Sequence, residues 1–211
     1  MKQLHRPNLF GWSAFDPARN IDFNSVLWVR ASERGAADNV VIDPLRLTEH
    51  DWAHLESCGG VKHIIITNSD HVRDAESLRQ RSGARVYGPA GEHSKFPIVC
   101  DAWLGDGATP MNGLLVYAMN GSKTPGELVL LIEGVTLVTG DLVRSHAGGR
   151  LDLLPVAKLS DPHAALRSLG QLLSIGELEA VLPGDGWPVF RDAKRYLEEL
   201  AGRVAQELDV R

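Results

Sequence analysis

Three consecutive β-branched residues, Ile64, Ile65 and Ile66, run into the polar stretch Thr67-Asn68-Ser69-Asp70-His71-Val72-Arg73-Asp74. Such side chains suit a pleated surface packed on both faces, so the triplet predicts a buried strand. The abrupt switch to polar residues predicts a turn, followed by a helix from about residue 70 to residue 81. Strand ends and helix starts leave backbone donors unpaired, which makes this the place for a ligand in an α/β sheet.

The same patterning extends along the chain. Segments 10–15, 21–29 and 39–44 read as a strand meander with a polar loop at 33–38. Thr48-Glu49-His50-Asp51 reads as a capping box for a helix that ends at Gly59-Gly60. A short strand is expected at 84–87, then long Gly- and Pro-containing loops to residue 112 with one strand at 102–104. Apolar runs at 114–119, 128–132 and 136–139 predict three more strands, the last two joined through Glu133-Gly134. Asp161-Pro162 predicts a helix start, and Glu179 to Leu182 a strand. Val189, Ala193, Leu197, Leu200, Val204 and Leu208 share one face of a final helix. Strands followed by helices, twice over, predict an α/β sandwich formed by one domain over residues 1–211.

Composition narrows the function classes. A net charge of -5 offers no basic footprint for nucleic acid or for an anionic membrane. The longest apolar run, 114–119, is far too short to span a bilayer, and the first residues lack the apolar core of a signal peptide. Two cysteines, Cys58 and Cys100, form neither a CxxC motif nor a disulfide framework. The expectation is a reduced, cytoplasmic protein with a small-molecule ligand and an oligomeric state that the sequence leaves open.

Four short motifs occur in order: the strand 64–67 with its polar turn, Thr124-Pro125-Gly126-Glu127, Val138-Thr139-Gly140-Asp141, and Leu182-Pro183-Gly184-Asp185-Gly186. Together they resemble the THxHxDH, PGH, TGD and PGHG motifs of the metallo-β-lactamase fold, and Val41-Ile42-Asp43-Pro44 is similar to that family's early IDxG strand. The resemblance implies a four-layer αβ/βα sandwich whose loops gather at one edge around one or two metal ions, usually zinc. Position by position, the family's histidine ligands fall on Asn68, Asp70, Arg73, Glu127 and Asp185. Its water-orienting aspartate falls on Val72, and only the TGD acid survives, as Asp141.

A site of Asp70, Glu127, Asp141 and Asp185 would be hard and oxygen-only, suiting Mn²⁺, Mg²⁺, Fe²⁺ or Ca²⁺ better than zinc. His71 is the candidate base or alternative ligand, although a solvent-facing position on the helix is the plainer expectation for it. Asn68, Arg73, Asp74, Lys123 and Trp187 complete the candidate pocket, Asp70 or Asp74 doubling as a helix cap. Two functions follow from the resemblance. One is a hydrolase with a carboxylate-rich, non-zinc metal site. The other is a scaffold without metal or catalysis that binds a ligand or partner, its old site knitted by Arg73, Lys123 and the acids.

Overall fold

The computed structural model describes residues 1–32 and 35–209. Glu33 and Arg34, part of the expected 33–38 loop, lie outside the described residues.

Among the described residues, the first sheet holds β1 (Lys2–Gln3), β2 (Leu9–Asp16), β3 (Ile21–Trp28) and β4 (Val40–Ile42), then β5 (His63–Ile65), β6 (Arg85–Pro89) and β7 (Ala102–Leu104). Their spatial order is the chain order. The first four pair antiparallel, as a meander must, and β4 to β7 pair parallel. Two of the parallel connections carry helices, α1 (Glu49–Ser57) after β4 and α2 (Ala75–Ser82) after β5. The capping box is present, with Thr48 Oγ accepting from the Asp51 N–H at 3.1 Å.

The second sheet contains β8 (Leu114–Met119), β9 (Glu127–Ile132) and β10 (Thr136–Thr139). A separate hairpin of β11 (Val143–Ala147) and β12 (Arg150–Leu153) follows, then α3 (Pro162–Leu173), β13 (Ala180–Pro183) and α4 (Ala193–Asp209). Sheet order is β13-β10-β9-β8, with β13 parallel to β10. Asp161 caps α3, accepting from the Ala164 N–H at 2.9 Å.

Strand alternation builds the layers. Val40, Ile42 and Ile65 face inward and meet Leu128, Leu130 and Ile132 of the second sheet in one buried cluster. Their neighbours Val41, Ile64 and Ile66 face outward onto Leu55, Ala75 and Leu78 of α1 and α2. Val129, Leu131 and Val181 do the same on the far side against α3 and α4. Each face of each sheet therefore buries its own apolar set, and the order helix–sheet–sheet–helix is the four-layer αβ/βα sandwich.

Three expectations are corrected. The helix from residue 70 does not form as one piece: a 3₁₀ turn at Ser69–His71 precedes α2, and Arg73 between them sits at φ 45°. A left-handed residue ends a right-handed turn, which resets the chain direction. The last helix starts at Ala193, because Val189 is bridged to Val181 by two backbone hydrogen bonds. Residues 143–153, for which the pattern predicts no strand, form the hairpin of β11 and β12, because β12 lacks an apolar run that would announce it.

Candidate functional site

The strands β4, β5, β10 and β13 all end at one edge, and the residues just beyond them meet there. Asp43 follows β4 and is 1% exposed. Its Oδ1 accepts from the Thr67 N–H and its Oδ2 from Thr67 Oγ, both at 2.7 Å. Oδ2 also lies 2.8 Å from His71 Nδ1. This acid ties the end of β4 to the turn after β5 and fixes the imidazole ring.

His71 is not solvent-facing. The 3₁₀ turn points its ring inward, where it is 3% exposed and packs on Gly184. A Cβ at Gly184 would stand 2.6 Å from His71 Cε1, so the ring occupies the space that this glycine leaves. His71 Nε2 faces Asp141 Oδ1 at 3.4 Å and Asp185 Oδ1 at 3.8 Å. Burial alone would lower its pKa, but the Asp43 charge and hydrogen bonds to Asp141 and Asp43 outweigh that and raise it to about 9. The ring is then an imidazolium at neutral pH.

Asp141 and Asp185 are held by cations. Arg144 Nη2 donates to Asp141 Oδ1 at 3.0 Å and to Asp185 Oδ2 at 2.9 Å. Lys123 Nζ lies 2.6 Å from Asp141 Oδ2 and 2.5 Å from Asp70 Oδ2. The Lys123–Asp141 contact is a close ion pair outside hydrogen-bond geometry, so Asp141 Oδ2 counts with Asp185 Oδ1 as a buried oxygen lacking a hydrogen-bond donor among the described residues. Burial opposes ionisation of Asp141, yet the His71 hydrogen bond and charge, with Lys123 beside it, hold this carboxyl well below the usual range. Burial, with the charge of Asp141, pushes Asp185 the other way. Burial would likewise lower the Lys123 pKa, and the two acids it bridges raise it instead.

The expected pocket residues divide into two groups. Asp70, His71, Arg73, Lys123, Asp141 and Asp185 line one cavity of about 750 Å³. Arg73 acts within it mainly as a tie, donating from Nη1 to the Asn24 and Asp43 carbonyls and from Nη2 to Gly184 O, with Asp185 3.7 Å away. The others lie outside. Glu127 is fully buried beneath the cavity, where Oε1 accepts from the Asp141 and Leu142 N–H groups at 2.6 and 2.8 Å and Oε2 from Ser122 Oγ at 2.6 Å. Its carboxylate shapes the TGD turn and is not presented to a ligand. Asn68 caps the 3₁₀ turn by accepting from the Asp70 N–H at 3.0 Å. Asp74, at the start of α2, makes no side-chain cap, and neither does Asp70, which lines the cavity turned to Lys123. Trp187 is 58% exposed and borders a separate groove with Trp12 and Phe190.

Arg144 and Asp43 carry more of this site than the sequence pattern predicts. Arg144 had one available signal, its place three residues after the TGD acid. Asp43 ends the IDxG-like strand, but nothing in its spacing announces a partner 28 residues away.

Glu127 provides a test of the buried floor. Burial and the Asp141 charge push its pKa up to about 7, against the opposing pull of the Leu142 N–H, Ser122 and His71. A carboxyl raised from 4.5 stabilises the fold fully below pH 4.5, and that contribution is lost as pH rises through about 7. Glu127→Gln keeps the acceptor for both N–H groups and cannot ionise. At pH 8 it is expected to be more stable than wild type by about 3 kcal/mol, with no gain at pH 4.5. Urea denaturation at the two pH values reads this, and a variant less stable at both removes the proposed ionisation.

A helix–sheet–sheet–helix sandwich with an acid- and histidine-bearing site at one strand edge defines a class of α/β proteins. The chain belongs to the metallo-β-lactamase superfamily, whose family model matches residues 1–204. The metallo-β-lactamase DIM-1, exposed to ceftazidime, superposes with a TM-score of 0.73 at 17% identity, covering 94% of each chain. A β-lactamase domain protein from Burkholderia ambifaria gives 0.70 at 18% identity, over 97% of this chain and 73% of that one. TTHA1623 in a di-iron-bound form gives 0.63 at 23% identity, over 86% of this chain and 94% of that one. No curated protein matches the sequence. No helix among the described residues is long and apolar enough to cross a membrane.

A metal is implied by the superfamily, and His71, Asp141 and Asp185 can each bring one ligand atom within 4.8 Å of the others. The surrounding charges argue against it. Arg144 and Lys123 already hold three of the four carboxylate oxygens of Asp141 and Asp185, leaving Asp185 Oδ1. Asp43, Asp70, Asp141 and Asp185 are matched by His71, Arg73, Lys123 and Arg144, one cation for each acid. As arranged, the residues do not fit the superfamily's metal group.

Proposed function

We propose that this chain is a small-molecule-binding member of the metallo-β-lactamase superfamily whose centre is held by internal ion pairs in place of zinc, without the superfamily's lactam or thioester hydrolysis. The observation that carries this is Arg144, whose guanidinium bridges Asp141 and Asp185. A divalent ion would add two positive charges to a balanced cluster, and would have to expel Arg144 and Lys123 from buried partners to reach its ligands. Loss of the imidazole positions at Asn68 and Asp70, and of the water-orienting acid at Val72, points the same way.

Neither nitrocefin nor S-lactoylglutathione is expected to be turned over, with or without added zinc. Turnover that EDTA abolishes would overturn the proposal.

A second reading is favoured by one observation. The Asp43–His71 Nδ1 bond leaves Nε2 facing Asp141 and Asp185, as a carboxylate–histidine pair does behind a metal. Through Asp185 Oδ1, which lacks a hydrogen-bond donor, and with Lys123 and Arg144 displaced, these three residues would hold a single hard cation, Mn²⁺, Mg²⁺, Fe²⁺ or Ca²⁺, supplying Lewis-acid chemistry for hydrolysis. Equilibrium dialysis of the purified protein against Mn²⁺, Mg²⁺ and Zn²⁺ separates the readings. No stoichiometric uptake is expected, and uptake lost in Asp141→Asn would establish the cation site.

A further inference from the structure

We infer that the cavity takes a small amphipathic anion: a carboxylate or phosphate head on an apolar body. This deepens the proposed binding function and rests on it. The chain as a whole carries -5, yet the cavity is lined by Arg19, Arg73, Lys123, Arg144 and Lys158 against only Asp70, Asp141 and Asp185. Counting one charge each, five cations less three acids leave +2, and the charge of His71 is matched by Asp43 behind it. A positive cleft in an anionic protein focuses its field on small anions and repels cations.

The charges are arranged by depth. Arg73, Arg144 and Lys123 are engaged with carboxylates or backbone carbonyls inside. Lys158 and His146 are exposed, and the Arg19 side chain is 73% exposed, with Asp16 3.6 Å away. These three present donors at the mouth. Ile21, Phe23, Leu45 and Leu154 also line the cleft, and half-buried Phe23 and Leu45 give it an apolar wall. Phe23 is flanked by Arg19 and Arg73, whose guanidinium carbons lie 5.7 and 5.6 Å from its ring centre. A bare inorganic anion would leave that wall wet, whereas an apolar body covers it while the head meets Arg19 and Lys158. At about 750 Å³ the cavity has the size of ordinary metabolite pockets.

The test is calorimetry and thermal shift on the full chain with octyl phosphate, octanoate, octylamine and inorganic phosphate. Octyl phosphate, octanoate or both are expected to bind and raise the melting temperature, with octylamine inert and inorganic phosphate at least tenfold weaker. Arg19→Glu/Lys158→Glu is expected to weaken binding at least tenfold. Arg167→Glu/Arg195→Glu, an equal charge change at exposed positions that do not line the cavity, is expected to leave it unchanged. Absence of binding by both amphipathic anions, equal binding of inorganic phosphate, or an equal loss in the two double variants overturns the inference. Dialysis of the same preparation against Mn²⁺ keeps the two levels apart. Stoichiometric uptake overturns the metal-free reading whatever the anions do, and a blank with both amphipathic anions but no uptake overturns this inference alone.

Discussion

Arg144→Met is expected to destabilise the protein by about 3–5 kcal/mol at pH 7, the range for leaving a buried carboxylate without its partner. Arg144 is 9% exposed and carries two acids at once, so its loss leaves the buried Asp141 and Asp185 without the guanidinium between them. Methionine fills much of the volume of the arginine stem, which separates lost charge from lost packing. Two further results follow from the same cause. The deficit should shrink toward pH 4.5, because Asp185, already pushed up by burial, can relieve the repulsion by taking a proton. Manganese should recover part of the lost stability in the variant and none in wild type, since only the variant has oxygens free of the guanidinium. Urea denaturation with and without Mn²⁺ measures all three. A loss below about 1 kcal/mol, the size of an exposed pair, would mean that Arg144 does not hold the centre together.

This result bears on what could be read from the sequence. The layers were legible because they depend on local alternation: the Ile64–Ile66 triplet, the leucines of α3 and the facing apolar runs each state which side is buried. The convergence of Asp70, Asp141 and Asp185 was legible too, since strand ends in this fold meet at one edge and their motifs are short and contiguous. The pairings were not. Whether Glu127 points into the cavity or back at its own turn depends on where the Asp141 and Leu142 N–H groups aim, and that is a property of the turn after β10. A single helix from residue 70 would turn His71 outward. The left-handed backbone at Arg73 breaks that helix and swings the ring onto Asp43. The role of Arg144 is hidden for a related reason: β12 carries too weak an apolar pattern to reveal that β11 is a strand, and the strand is what carries the guanidinium to Asp185.

His71 gives the last and most direct measure of the ion-paired centre. An imidazole whose pKa rises from 6.5 in the unfolded chain to about 9 in the fold contributes about 3 kcal/mol to stability. The sign follows from linkage. The folded protein binds this proton more tightly, so the contribution is complete below pH 6.5, falls as pH rises, and is gone above about 9. Wild type should therefore lose stability steadily across that interval. His71→Leu keeps the ring's place apolar and has no proton to lose, so its curve should lack this decline. Near pH 6 the variant is expected to be less stable by about 3 kcal/mol or more, since Asp43 and Asp141 then lose the cation between them. Near pH 9.5 the gap should have narrowed by about that amount. Lys123, whose pKa is raised by Asp70 and Asp141, stays charged over the interval and keeps its partners in both proteins. Urea denaturation at half-unit steps from pH 6 to pH 9.5 reads the difference. Two curves running parallel across the interval would mean that His71 is neutral in the fold, and that the acids around it are balanced by some other group.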